Sequence, residues 1–252
     1  MKHGSLFTGI GGFDLAAENV GFTNIWCCEI DPYCQSILKQ NFNHNDVYVD
    51  IIELSNPEYV DVLSGGFPCQ DISNAKTWSS NEKFKDNGIK GKRSGLWHEF
   101  ARIIEEVKPK YVVIENVPAL TKKGFEKVLY DLAVIGYDAE WTIISAAEFG
   151  APHLRKRLWI VAYPIGFGWS NKGIIFSSEF RQEIPQSSKW ESSRTICRNN
   201  KKKTLSESFG IHDGIPRKLD DAQRIKGLGN SIVPDIAEFI FTRIKQHERD
   251  VL

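Results

Sequence analysis

The constraint with the greatest reach in this chain is an alternation. Between Ser5 and Tyr163, short apolar or β-branched runs take turns with stretches whose apolar residues recur every three or four positions. The runs are SLF, NIWCCEI, VYVDI, VDVLSGG, YVVIENV, WTIIS and RLWIVAY, each the length of a strand rather than of a buried helix. The stretches between them read as helices. FDLAAENVG is stopped by Gly21, and Pro32 suits the first position of the next helix. GLWHEFARIIEEV lines up Leu96, Phe100, Ile103, Ile104 and Val107, and residues 121–135 supply another helix. Strands that alternate with helices are connected by crossovers, so they must build a mostly parallel sheet with helices on both faces. The expected fold is a doubly wound α/β domain.

After Pro164 the pattern fails. Residues 165–216 are rich in Gly, Ser, Asn and Lys, with scattered aromatics and no sustained period. Regularity returns in SIVPDIAEFIFTRI, where Ile232, Ile236, Ile240 and Ile244 fall on one helical face that needs a core. Residues 1–164 plus 219–252 are therefore expected to form the α/β domain, with 165–218 inserted as a small irregular domain.

Net charge is zero, so any polyanion partner must be met by local charge. The N-terminus has no signal-peptide core, and no apolar run approaches a membrane span. The cysteines, at 27, 28, 34, 69 and 197, are odd in number and lack zinc-finger spacing. These features read as a reduced, cytoplasmic protein with no structural metal and no membrane partner.

FTGIGGF places Gly9, Gly11 and Gly12 between the first strand and the first helix, where glycine lets backbone approach a ligand. As a dinucleotide fingerprint the turn fails, because position 14 holds Asp14 where glycine is required. A nicotinamide dehydrogenase is disfavoured. Glu29 ends the second strand about 20 residues on, where a carboxylate can accept from both hydroxyls of a ribose. Asp50, ending the third strand, could take the exocyclic amine of an adenine. Surface strand caps are the alternative for both, but three features converging on successive strand ends favour an adenosine site.

GGFPCQDIS sets Cys69 at the ligand edge of such a sheet. A free cysteine is often a small buried hydrophobe; chemistry would need a proton donor and groups that hold an electrophile. ENV offers Glu115 at another strand end, with Asn116 able to orient its loop, and RKRLWIVA offers Arg155 and Arg157. A surface carboxylate and a solvated basic turn are the plain alternatives.

In this order and with these separations, FTGIGGFDLA, GGFPCQDIS, ENV and GNSIVP resemble the motifs of the DNA cytosine-5 methyltransferases. The resemblance spans the chain except 165–216, and PCQ with ENV and GNSIVP makes it specific. It implies the S-adenosylmethionine-dependent, Rossmann-like fold. The implied activity is methyl transfer from S-adenosyl-L-methionine to C5 of cytosine in a specific DNA sequence, leaving S-adenosyl-L-homocysteine. Cys69 would add to C6, Glu115 would bond the N3 edge and the exocyclic amine, and Arg157 would hold O2, with Arg155 beside it. Phe7 would stack on adenine and Glu29 bind the ribose, with Gly9, Gly11 and Gly12 in the turn. Ile30, Asp50, Ile51, Pro68, Leu96, Asn230 and Ser231 would complete the pocket. His153 stands where the family's QxRxR motif has Gln.

Cytosine C6 is closed off in a duplex, so the base must swing out. Residues 76–98 carry six basic residues against two acidic, and by resemblance form a loop that closes over DNA. Gln70, Ser73 and Arg93 would touch DNA there. Residues 171–218 carry ten basic against five acidic, densest at Lys201, Lys202 and Lys203, with aromatics interleaved. This is where the family keeps target recognition, phosphate contacts positioning and polar side chains reading bases. The expected partners are double-stranded DNA and a cognate restriction endonuclease, and the expected state is a monomer in the cytoplasm of a bacterial or phage-infected cell. A tRNA cytosine-5 methyltransferase and an inactive scaffold that binds S-adenosylmethionine and nucleic acid are the rival readings.

Overall fold

The computed structural model describes residues 1–68, 96–151, 153–166, 175–185 and 231–251. Cys69, Gln70, Ser73, Arg93, Lys201, Lys202, Lys203 and Asn230 lie outside the described residues, as do nearly all of the basic loop at 76–98 and most of 171–218.

The strands are β1 (Lys2–Leu6), β2 (Thr23–Cys28), β3 (Asp46–Tyr48), β4 (Val62–Gly65), β5 (Tyr111–Asn116), β6 (Tyr137–Ser145) and β7 (Lys156–Pro164). The helices are α1 (Gly12–Val20), α2 (Pro32–Asn41), α3 (Leu96–Val107), α4 (Phe125–Val134) and α5 (Pro234–Val251). Local chemistry sets several of the ends. Gly21, at φ 83°, closes α1 in the left-handed conformation that a Cβ disfavours. Asp31 accepts from the Tyr33 amide at 3.0 Å, and Pro32 occupies the first turn of α2.

The sheet runs β3-β2-β1-β4-β5-β7-β6. β3, β2, β1, β4 and β5 pair in parallel, and β7 lies antiparallel between β5 and β6. The chain moves outward from β1 to β3 and then returns to β4 on the other side of β1. That reversal makes β1/β4 the switch point, where ligands bind beyond the carboxyl ends of open α/β sheets. Alternation along β5 explains the layering. Val112 and Ile114 enter a core with Phe100, Ile103 and Ile104 of α3, while Tyr111 and Val113 enter one with Ile240, Phe241 and Ile244 of α5. The expected doubly wound α/β fold is present.

Several boundaries differ from the sequence reading. The helix expected over 121–135 starts at Phe125: Pro118–Lys122 forms a 3₁₀ turn, and Gly124 at φ 93° separates the two. Strand β6 is nine residues long rather than WTIIS alone, because β7 pairs with all of it from Tyr137↔Pro164 to Ser145↔Lys156. Ile232 precedes α5 instead of lying on it.

Helix α5 packs against α1, with the Phe13 and Phe241 rings 6.2 Å apart and Lys245 Nζ donating to the Val20 carbonyl at 2.5 Å. Residues 175–185 dock on the same face. Ile175 and Phe180 are buried, and their amide neighbourhood is gripped from two sides. Glu140 accepts from the Ile175 and Phe176 amides at 2.8 Å, and Arg243 donates to the Ile175 carbonyl at 2.7 Å while lying over the Phe180 ring. No helix among the described residues is long and apolar enough to cross a membrane.

Candidate active site and cofactor pocket

The carboxyl ends of β1, β2, β4 and β5 and the amino end of the reversed β7 share one edge of the sheet. The sequence-predicted residues divide into two groups along it.

The first group surrounds the turn after β1. Phe7, Gly9 and Gly11 have φ of 53°, 59° and 88°, so the chain reverses through three left-handed residues. Phe7 is the strained one, since only glycine adopts this region without cost; its ring packs 6.2 Å from that of Phe100. Glu29 is tied to the turn through both oxygens. Oε2 accepts from the Gly9 amide at 2.7 Å and Oε1 from the Asp31 amide at 2.8 Å. Each carboxylate oxygen keeps a second lone pair for a ligand.

The three glycines have different reasons to be glycine. A Cβ on Gly9 would meet nothing within 4 Å, so this face of the turn is open. A Cβ on Gly11 would lie 2.3 Å from the Phe42 ring, and one on Gly12 would lie 2.7 Å from Ile232 and 3.0 Å from Ser231 Oγ. Gly11 and Gly12 thus turn their missing side chains to protein. Ser231 is brought to the turn by this contact, and Arg155 Nη2 donates to its carbonyl at 2.5 Å.

Asp50 lies two residues beyond the end of β3 rather than on it, and its Oδ1 accepts from the Ile52 amide at 2.9 Å. Ile51 sends its side chain into the core, and Arg102 of α3 donates to its carbonyl at 2.8 Å. Ile30 is 65% exposed beside Glu29. Leu96 opens α3, partly buried against the core, and Pro68 is exposed. The chemistry of this donor set fits an adenosine-containing cofactor: a fixed carboxylate, an exposed apolar side chain next to it, and an open glycine face.

The second group lies across β4, β5 and β7. Gly65 and Gly66 do not adopt positive φ; they are glycine for close approach. A Cβ on Gly65 would sit 2.7 Å from the Leu6 carbonyl, and one on Gly66 would sit 3.2 Å from Glu115 Oε2. Asn116 donates to the Phe67 carbonyl at 3.0 Å while its Oδ1 accepts from the Val117 amide at 2.8 Å. The segment that leads into position 69 is thereby fastened to β5. Sequence reasoning gave Asn116 its own loop to orient; the side chain reaches across to the neighbouring one.

Glu115 is 9% exposed, and Arg157 Nε lies 2.8 Å from its Oε1. Burial raises the Glu115 carboxyl above its ordinary value, and Arg157 and Arg155 pull it back down. Arg155 precedes β7 at φ 21°; its guanidinium is half-buried, bonded to Ser231 and close enough to be felt by Glu115. It bridges the two groups. His153 is lowered by desolvation and then by Arg155, which favours its neutral ring.

The described thiols, none of them Cys69, are poor nucleophiles. Cys27, Cys28 and Cys34 are buried, and burial pushes Cys28 up to about 12 and Cys27 higher still. Arg102 escaped the sequence reading because its only signal is helical spacing on a surface face. Asp14 registered only as the residue that spoils a dinucleotide fingerprint.

Comparison with known proteins gives a family and a fold. The family model for C-5 cytosine-specific DNA methylases matches residues 1–214. The chain is similar to the type II methyltransferase M.DsaV of Dactylococcopsis salina, at 29% identity over 99% of this chain and 68% of that protein. It is also similar to the type II methyltransferase M2.BsuMI of Bacillus subtilis, at 33% identity over 71% of this chain and 45% of that protein. The match thus spans about half to two thirds of the length of these relatives. Among solved structures, the S. pombe Dnmt2 methyltransferase aligns with a TM-score of 0.67 at 16% identity, covering 98% of each chain, a likeness of fold.

Proposed function

The chain belongs to the C-5 cytosine-specific DNA methylase family, and from that premise we propose that it methylates C5 of cytosine in DNA. The observation that carries this reading is the composition of the catalytic edge. A buried carboxyl with a raised pKa is flanked by an arginine at 2.8 Å, and the segment leading to Cys69 is fastened beside it by Asn116. The arrangement suits a reaction in which a heterocycle is held at one face, attacked by a thiolate and given a proton at nitrogen.

Bound S-adenosylmethionine would supply an electrophilic methyl group on its sulfonium for C5, with Glu29, Ile30, Asp50 and the Gly9 face as the groups that hold it. The work of this chain's residues is then specific. Cys69 would form a C6–S bond, and the C5=C6 electron pair would move onto C5 and, through C4=N3, toward N3, so that C5 becomes nucleophilic and N3 basic. Glu115, holding its proton above the usual range, donates to N3 and accepts from the exocyclic amine. Arg157 keeps positive charge beside Glu115 and the base O2. After methylation, a solvent water would take the C5 proton, its bond pair would re-form C5=C6 and expel the thiolate of Cys69, and N3 would return its proton to Glu115. Sulfur suits both halves, because a thiolate attacks and leaves more readily than an alkoxide.

Reaching C6 requires the base to leave the stack, and the basic residues at 76–98 are suited to phosphates flanking it. Residues 165–218, with Lys201, Lys202 and Lys203, are assigned to target recognition; within them the described segment 175–185 docks on the α/β domain.

The reading is tested by incubating the protein with tritiated S-adenosylmethionine and either duplex DNA or tRNA. Label in DNA, lost in Cys69→Ser, is the expected result. Label in tRNA alone would overturn the substrate, and label that survives Cys69→Ser would overturn the covalent route.

A further inference from the structure

Beneath the glycine turn the core contains a polar chain. Asp14 of α1 is completely buried, and His44, from the connection between α2 and β3, has a side chain only 1% exposed. His44 Nε2 lies 2.7 Å from Asp14 Oδ1, and the carboxylate also accepts from Ser5 Oγ at 2.9 Å. Because a carboxylate only accepts, Nε2 carries the proton. His44 Nδ1 makes no hydrogen bond to any described residue, so among these the ring hydrogen-bonds through Nε2.

From Ser5 the chain of contacts enters the turn. Ser5 Oγ lies 2.9 Å from Thr8 Oγ1, the Thr8 amide donates to the Cys28 carbonyl at 3.2 Å, and the Thr8 carbonyl accepts from the Gly11 amide at 3.1 Å. Cys28 is the residue before Glu29. The same α2–β3 connection presses on the turn a second time, through the Phe42 ring in the space where Gly11 lacks a Cβ. Burying a carboxylate, an imidazole and two hydroxyls costs stability unless all are paired, and a well-packed apolar core would serve folding better. What the polar chain does is fix Thr8, and with it a turn that passes through three left-handed residues, one of them Phe7.

We propose that His44 and Asp14 are positioning residues for cofactor binding: they hold the glycine turn, through Ser5 and Thr8, in the shape that presents Gly9 and Glu29. This rests on the cofactor reading given above. It predicts a defect in cofactor affinity that is separable from DNA affinity and from the folding of the chain.

The experiment is calorimetric titration of S-adenosylhomocysteine into wild type, His44→Leu and His44→Gln, with melting temperature and duplex DNA affinity measured on the same samples. A Gln side chain can place an N–H where imidazole Nε2 stands; Leu cannot. His44→Leu should weaken binding about tenfold, the size of one lost charge-assisted hydrogen bond. His44→Gln should recover to within about threefold of wild type by the same arithmetic, and DNA affinity should be unchanged throughout. In turnover, KM for the cofactor should rise with kcat retained at saturation. Should His44→Leu fail to fold, Asp14→Asn, which keeps shape and removes charge, carries the same expectation of weakened binding. A lower melting temperature with unchanged Kd in either folded variant overturns the proposal, as does equal weakening in the Leu and Gln variants. Absence of binding by the wild type would instead count against the cofactor reading itself.

Discussion

Glu29 and Glu115 are both 9% exposed at the ligand edge of one sheet, yet they are held in opposite ways. Glu29 is clamped by two backbone amides, that of Gly9 in the turn and that of Asp31 at the cap of α2. Glu115 faces guanidinium groups and the bare backbone of Gly66, and burial raises its pKa despite those positive neighbours. Equal burial therefore does not assign a role; the donors around the carboxylate do. Backbone amides make Glu29 a fixed acceptor suited to binding. Flanking guanidinium charge and desolvation give Glu115 a raised pKa, which on the proposed reading suits a group that hands over a proton.

The comparison is most sharply tested at Glu115. Glu115→Gln should lower kcat by roughly 10²–10⁴, the usual worth of a general acid, while cofactor affinity stays within about twofold on the same reading. Steady-state kinetics with both substrates varied would show it. If the loss appears in cofactor KM instead, the division between the two carboxylates is wrong. Glu29→Gln should do the reverse. Its amide nitrogen must face one of the two backbone N–H groups, so cofactor affinity should fall about 10–100-fold, with kcat preserved at saturation.

A smaller effect separates the glycines of the turn. Gly12→Ala would bring Cβ to 2.7 Å from Ile232 and should destabilise the fold by about 1–3 kcal/mol. Ile232→Ala in the same chain should restore part of that loss, because the two positions compete for one space. Gly9→Ala meets no neighbour and should cost only the backbone term at φ 59°, about 1 kcal/mol. Thermal melts of the three variants would rank them.

The smallest effect is the pH dependence of stability. A carboxyl whose folded pKa is raised stabilises the fold most below the ordinary glutamate value of 4.5, and this contribution is lost as pH rises through the folded value. Glu115→Gln stays neutral throughout. The melting temperature of the variant relative to wild type should therefore climb between pH 4.5 and neutrality, by a few degrees at most. A difference that shrinks with rising pH would show that the arginines, not burial, dominate.

The elements were legible because the strand runs are short and apolar and most are set apart by helical periods, and that pattern is local. Site residues were legible because they terminate those runs: Glu29, Glu115 and Arg157 sit at ends that the sheet then gathers to one edge. What stayed hidden depends on contacts across the chain. Asp14 and His44 are 30 residues apart and belong to no shared period. Gly11 and Gly12 look identical to Gly9 until Phe42 and Ile232 are placed against them. Arg243 looks like a polar face residue of a helix, yet it fastens Ile175 from 68 positions away. The amphipathic period marks which face of α5 is buried but not which loop its flank holds.

The central claim is that this chain alkylates cytosine through a covalent bond from Cys69 to C6. The most direct measurement is trapping on duplex DNA in which 5-fluorocytosine replaces cytosine, in the presence of S-adenosylmethionine. Fluorine at C5 cannot leave as the proton does, so the thiolate cannot be expelled. The account predicts a denaturant-stable protein–DNA complex with wild type and none with Cys69→Ser. An active wild-type enzyme that turns over cytosine yet forms no such complex would contradict it.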